Sequence, residues 1–500
     1  MTSFVIKQLP YELSSNAGLA LVGQYLKRIG LNNLVDPAFP VRTGIANSDI
    51  LRSYIALLCM GKSDFEAVEA LRASSFALRA LGLASAPSSA TVRQRLDAQG
   101  SDWFELIDRI NERLLSLRID GKAIDFGRLE CGYCPLDIDT FAMDNGDTRK
   151  EGVGRTYAGV DGYCPLAGYL GVHGYCLQLA LRPGEQHSAS ESQYNLEYLL
   201  PLATRLVDEP LLARLDSGFC SRQLMLDIRQ HSKALGRTID FIIKWNPRKT
   251  PVEAWATRQC ADADVIWCLA REGKRCCVWE ESVALDPEGP TIRRIYRLTE
   301  RTIDRHGQPL LLPEYVLDGW STSLPGSFLP GQVIALYEQH GTHEQFHSEF
   351  KTDMGLERLP SGKFDTNYLV CQMAAVAMNL LRLVGARTLH GKDAPLRHKA
   401  QRRRLRTVMQ EMMYKAARLI RHAGRWVLWA WAMATAEHPR LRATTASLQP
   451  HSCAHPRVQT HRHTHRSPHA ALPAAGSALG AKAPQGENAA NIGRKSIVRE

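Results

Sequence analysis

The stretch Leu211-Leu-Ala-Arg214-Leu-Asp216-Ser-Gly218, followed by a helical run from Ser221 to Leu235 and then by Ile239-Asp-Phe-Ile-Ile-Lys244-Trp245, decides the fold. An apolar run that ends in a Ser-Gly turn reads as a buried strand, and Ser221 opens the helix that follows it. Upstream, Leu136-Asp-Ile-Asp139-Thr-Phe reads as a short strand with two carboxylates on one face. Arg155-Thr-Tyr-Ala-Gly-Val and Gly168 to Leu179 read as its strand neighbours, and Glu185 to Val207 reads as a helix. Three strands, a helix, a strand, a helix and a strand imply a mixed sheet covered by helices.

Working outward, residues 1–122 carry helical spacing without alternating runs and form an all-helical domain. Within it Pro87-Ser-Ser-Ala-Thr91-Val-Arg93-Gln-Arg95 opens a helix with hydroxyls and free amides in its first turn and two arginines in the next. That is how a helix addresses a phosphate backbone, although solvated surface arginines give the same pattern. The α/β core covers 123–245 and 330–385, interrupted at 246–329 by a β-rich insertion with alternating runs at Cys276–Val283 and Thr291–Thr299. A basic helical region follows at 386–438 and includes Arg402-Arg403-Arg404. Residues 439–500, rich in Ala, Pro, His and Arg, bury too little apolar surface to fold alone and are expected to be disordered.

The chain of 500 residues has 62 Lys and Arg against 51 Asp and Glu, a formal +11 that favours a polyanionic partner, nucleic acid first. Met1 to Pro10 lacks the basic and apolar regions of a secretory signal. The apolar stretches Leu369–Leu381 and Trp426–Ala436 are shorter than a bilayer span, the first interrupted by Gln372 and Asn379. These features predict a cytoplasmic protein without a membrane partner. The 12 cysteines read as reduced thiols; zinc at Cys131, Cys134, Cys164 and Cys176 is a lesser alternative, because the second pair is not closely spaced. Gly355 to Lys363 lacks the glycine spacing of a phosphate loop, which excludes nucleotide hydrolysis on that ground.

The chemistry concentrates in Tyr337-Glu-Gln-His340-Gly-Thr-His-Glu344-Gln-Phe-His347-Ser-Glu349-Phe-Lys351. On a continuous α-helix, steps of seven stack Tyr337, Glu344 and Lys351, with His340 and His347 on the same stripe and His343 and Glu349 turned away. A carboxylate beside cations suits a site that holds a divalent cation and a phosphodiester together; a solvated polar face is the plain alternative. Asp139, Asp216 and Glu344 stand where strand ends and an adjoining helix can converge, although Asp216 before Ser-Gly, taken singly, reads as a turn residue. Trp320, just before this helix, reads as core packing ahead of a wedge into distorted DNA.

With one departure, Tyr337, His340, Glu344 and Lys351 match the Tyr-x2-Arg-x3-Glu-x6-Lys signature of DDE transposases of bacterial insertion sequences. Arg214-Leu-Asp216-Ser-Gly-Phe resembles the second-aspartate motif of that group, Leu136-Asp-Ile-Asp139-Thr its first, and Lys150–Tyr157 and Arg358–Phe364 one of its subgroups. The resemblance covers about 14–422. It implies a ribonuclease-H-like catalytic core with a β-strand insertion, and Asp139, Asp216 and Glu344 as ligands of two Mg2+ ions, for which Mn2+ substitutes. Asp137 competes with Asp139 for the first place. Tyr337, His340 and Lys351 would contact DNA phosphates, and Arg93, Arg95 and the Arg402–Arg404 run would bind the terminal inverted repeats. His340 stands where the family prefers arginine and offers a weaker contact. The implied reaction is cleavage of double-stranded DNA at the element ends followed by 3′-OH strand transfer, by two copies acting together. The alternatives are a catalytically impaired DNA-binding remnant and a metal-dependent nuclease outside transposition.

Overall fold

The computed structural model describes residues 13–247, 250–287, 289–389, 402–422 and 425–430. The tail at 439–500 lies outside them. The first helices are α1 (Leu19–Arg28), α2 (Asn47–Leu58), α3 (Ser89–Gln99) and α4 (Phe104–Leu115). In α4, leucine and isoleucine at positions 106, 107, 110, 114 and 115 recur at helical spacing and are all buried. Ser88 caps α3 by accepting the Thr91 N–H at 3.1 Å.

Nine strands then build one sheet: β1 (Cys134–Thr140), β2 (Leu166–Leu170), β3 (Tyr175–Ala180), β4 (Leu211–Leu215), β5 (Ile239–Trp245), β6 (Cys268–Arg271), β7 (Lys274–Ala284), β8 (Thr291–Ile303) and β9 (Pro309–Thr322). Their spatial order is β3-β2-β1-β4-β5-β9-β8-β7-β6. Strands β1, β4 and β5 are parallel and adjacent, with Ile138 level with Leu215 and Leu215 level with Ile243. All five residues of β4 are buried, as a parallel strand covered on both faces requires. The crossovers are α5 (Ser192–Leu206), which leads into β4, and α6 (Arg222–Leu235), which joins β4 to β5. Ser221 caps α6 through the Leu224 N–H, and Gly236, at φ 60°, ends it.

Arg155 to Val160, read as a strand neighbour of β1, lies outside this sheet: Gly154–Arg155 pairs with Asp161–Tyr163 in a separate three-stranded sheet, and residues 157–160 form a turn. Three further features depart from the sequence reading. Gly168 to Leu179 is a hairpin, not one strand: Gly171 and Gly174 take φ of 74° and 66° and turn β2 back onto β3. A Cβ on Gly174 would stand 2.3 Å from the ring of Phe346. Gly174→Ala therefore combines a left-handed backbone with overpacking and is expected to cost about 1–3 kcal/mol, read as a lower denaturant midpoint. Second, the insertion continues the main sheet, because the end of β9 pairs with β5 from Gly319↔Trp245 to Thr322↔Ile242. Third, the stretch read as a basic helical region at 386–438 contains an antiparallel hairpin of β10 (Ala417–His422) and β11 (Arg425–Ala430). Ala-Arg-Leu-Ile-Arg-His and Arg-Trp-Val-Leu-Trp-Ala supply the branched and aromatic residues that favour strands.

Three further helices bear on the site: α7 (Pro330–Glu338), α8 (His343–Ser348) and α9 (Phe364–Ala386). By length and composition α9 could cross a membrane, yet 94% of its most apolar window is buried inside the fold. Gln372 and Asn379, which looked like interruptions of an apolar run, are its polar ties. The Asn379 amide donates to Cys176 O at 2.7 Å and to Asn111 Oδ1 at 2.8 Å, and the Gln372 amide donates to Asp108 at 2.9 Å.

Candidate active site

Parallel pairing of β1 with β4 carries Asp139 and Asp216 to the same sheet edge, one step past the Ile138↔Leu215 pair. Asp139 is buried. One of its oxygens accepts the Thr140 N–H at 2.7 Å, and the other lies 2.5 Å from His343 Nε2. Asp216 accepts the Gly218 N–H at 2.9 Å. That bond is the one the turn reading of Asp216 requires. Burial, then the charge of Asp139, pushes the Asp216 carboxyl up to about 6, the behaviour of two acids that share one electrostatic environment.

Asp137, on the same face of β1, is already committed. Arg214 holds it with two parallel bonds of 2.6 and 2.8 Å, and His340 Nδ1 lies 3.0 Å away. Burial alone would raise this carboxyl, but Arg214 and then His340 keep it well below the usual carboxylate range. A further Arg214 N–H donates to Leu336 O at 2.8 Å, which fixes the C-terminal end of α7 over β4. Asp139 is therefore the acid on β1 that is not held by an arginine.

The helix of the signature segment is not continuous. Between α7 and α8, residues Gln339–Thr342 form a 3-10 turn. Residues in a 3-10 turn advance about 120° against about 100° in an α-helix, so four of them add roughly 80°. This rotation turns His343 inward and Glu344 outward. Glu344 is exposed, while His343 and His347 are buried. In this structure His343, not Glu344, is the residue turned inward, the reverse of the arrangement drawn for a continuous helix. Among the described residues, the cluster of close metal-type donors is Asp139, His343 and His347, with one ligand atom from each lying within 4.8 Å of the others.

The histidines differ in character. Burial is the largest influence on His343 and opposes its protonation, but the hydrogen bond to Asp139, the charge of that carboxylate and the His340 carbonyl together outweigh it and raise the imidazole. Burial lowers His340, and it brings His347 down to about 3. His347 stacks on Phe141 at 4.3 Å, and its Nε2 has no hydrogen-bond partner. A buried carboxylate, two imidazoles and an orphaned ring nitrogen fit a divalent cation. They are not the all-oxygen set that the resemblance implied for Mg2+.

Tyr337 is half-buried beside these acids. Burial and the charges of Asp216 and Asp139 push its phenol up, so it remains a proton donor. Lys351 donates to Ala142 O at 2.9 Å and pairs with Glu357 at 3.1 Å. His340, expected at DNA, is buried against Asp137 instead. Exposed Arg93 pairs with Glu66 at 2.8 Å, and Arg95 donates to Asn47. The Arg402–Arg404 run, expected at the terminal repeats, makes ion pairs within the fold, with Arg403 buried and Arg404 exposed. Arg402 pairs with Glu349 at 3.0 Å, Arg403 is buried against Glu411, and Arg404 pairs with Asp353 at 2.8 Å. Trp320 is core, with Arg297 5.0 Å over its ring. The four cysteines weighed for zinc are free thiols, and none belongs to the donor cluster. A cleft of about 390 Å³, lined by Thr140, Arg155, Tyr157, Ser188, Asp216 and Ser217, opens beside the acids.

Sequence reasoning missed the inward turn of His343 and the clamp role of Arg214. Gly341 within the supposed helix was the available signal for the first. Arg214 lies two residues from Asp216 and so shares its face, which was the signal for the second.

No curated protein matches the sequence. Among solved structures, a cryo-EM structure of the piggyBac transposase synaptic complex with hairpin DNA is similar at 12% identity and a TM-score of 0.34, with 74% of each chain covered. A superposition that loose does not locate a site. A family model described as transposase DDE domain group 1 matches residues 10–453, a span that takes in the helical region, the sheet and both acid-bearing strand ends. The chain therefore belongs to the DDE transposases, domain group 1.

Proposed function

We propose that the protein cleaves double-stranded DNA at the ends of a bacterial insertion sequence and joins the freed 3′-OH ends to target DNA, with a ribonuclease-H-like core as its catalytic frame. Two copies act together, one for each element end, in the cytoplasm. The observation that carries the reading is the pairing of Asp139 and Asp216 at adjacent parallel strand ends, close enough for one charge to raise the pKa of the other. The strand order β3-β2-β1-β4-β5 supports the same core.

Bound divalent cations supply an activated nucleophile at neutral pH and neutralise charge on the phosphate. Asp139 and Asp216 hold them. The Asp137–Arg214–His340 clamp keeps β1, β4 and the end of α7 in register, so the acids are positioned before DNA arrives. Tyr337 donates its phenolic proton to a phosphate oxygen, and Lys351, by leaving Glu357, neutralises a second. Arg155 at the mouth of the cleft and Arg93 on α3 extend the contact with the backbone.

Glu344, one residue from His343, is the third acid of this reading. It reaches the aspartates if the 3-10 turn relaxes to an α-helical one when DNA binds. Loss of cleavage in Glu344→Gln marks that rearrangement, whereas retained cleavage means that the imidazoles serve in its place. The deciding assay supplies the DNA flanking the coding region, a second duplex and a divalent cation. Joined product is expected. Nicking without joining would mark a nuclease outside transposition, and end binding without nicking would mark an impaired remnant.

A further inference from the structure

We propose that Asp139, His343 and His347 form a mixed carboxylate–imidazole site that takes one divalent transition ion of the Mn2+, Co2+ or Zn2+ class in preference to Mg2+. The inference deepens the reading above and rests on it only in taking Asp139 as a metal ligand.

His343 and His347 lie four apart on α8 and so share one face, the spacing at which two imidazoles of a helix bind one metal. His343 and His347 are each 7% exposed, and Asp139 is 8% exposed. One ligand atom from each lies within 4.8 Å of the others, close enough for small side-chain adjustments to bring all three onto one ion.

His347 makes the case. Its ring is held by Phe141 at 4.3 Å and Tyr169 at 5.6 Å, and its Nε2 makes no hydrogen bond. A buried polar atom without a partner costs about 1–3 kcal/mol, and a bound ion is one way to recover it. Imidazole nitrogen suits the later first-row ions, while Mg2+ prefers oxygen and gives up its waters reluctantly. His343 Nδ1 meets the His340 carbonyl, which orients the ring and leaves Nε2 as the ligand atom.

The test uses the full chain stripped with a chelator. Co2+ is expected to give a visible ligand-field band that saturates at one ion per chain and that Mg2+ displaces only at about tenfold or greater excess. His347→Ala is expected to weaken Co2+ binding by about 10–100-fold or more while the far-ultraviolet circular dichroism is unchanged. Because that variant could fail to fold, Mn2+ bound to the wild-type chain is examined by pulsed electron paramagnetic resonance, where nitrogen couplings from imidazole are expected. Absence of those couplings, or equal affinity for Mg2+ and Co2+, overturns the site. The two readings fail separately. Nitrogen-ligated Mn2+ without DNA cleavage in any metal leaves this site standing and removes the strand-transfer reading. Cleavage with Mn2+ bound through oxygen alone does the reverse.

Discussion

Asp216→Asn is expected to lose cleavage and strand transfer by several kcal/mol of transition-state stabilisation, on the order of 10³-fold in rate, while end binding changes little. The amide matches the carboxylate in shape and still accepts the Gly218 N–H, so the turn after β4 survives. What it removes is the charge that holds a cation beside Asp139. The same variant carries an independent signature in stability. In the metal-free protein, burial and Asp139 raise the Asp216 carboxyl to about 6, above its ordinary 3.8, so the ionised group disfavours the folded state. That penalty is fully present above about pH 6, shrinks as the pH falls from 6 towards 3.8, and is gone only below both values, where the folded and unfolded chains are both protonated. With a chelator present, Asp216→Asn should therefore be at least as stable as the wild type at pH 7, with the advantage shrinking in acid. Denaturant titrations at pH 7 and 4.5, set beside nicking assays, check both halves. Unimpaired nicking would remove Asp216 from the chemistry, and a destabilised variant would mean that its charge serves the frame.

The frame and the pair of aspartates were legible because they rest on short-range rules. The apolar run of β4, its Ser-Gly exit and the Ser221 cap each have a local cause, and parallel pairing of two such strands then brings their end residues together. The third element was not legible. The stripe through Tyr337, Glu344 and Lys351 assumes about 100° for every residue, and a single 3-10 turn at Gln339–Thr342 exchanges Glu344 for His343 on the inner face. Nor does charge reveal its partner in sequence. Arg402, Arg403 and Arg404 look like a nucleic-acid footprint until tertiary contact shows Glu349, Glu411 and Asp353 opposite them. The residues that answer them stand 8 to 53 positions away, a separation that no periodicity encodes.

Glu349 provides the sharpest separation of framework from chemistry. It lies five residues from Glu344 and is wholly buried. Its carboxylate lies 2.5 Å from Arg382 and 3.0 Å from Arg402, and it also accepts the Leu405 N–H at 3.0 Å. Arg382 is itself buried, and it also donates to Gly174 O and Arg403 O and lies over the ring of Phe346. Glu349→Ala would therefore strand a buried guanidinium, and breaking a buried pair in this way costs about 3–5 kcal/mol. Glu349→Gln keeps an acceptor for Leu405 and is expected to cost less. Glu344→Gln, at an exposed position, should stay within about 0.5 kcal/mol. The cost in Glu349→Ala arises chiefly from the unmatched buried Arg382, so the double variant Glu349→Leu with Arg382→Met, which removes both of these charges and leaves Arg402 with Gln345, should recover part of it. Denaturant midpoints of the four variants test the ordering, and nicking per folded molecule should stay near wild type in Glu349→Gln. A cost below about 1 kcal/mol for Glu349→Ala would mean that water reaches Arg382 and that this ion pair does not anchor the signature helix.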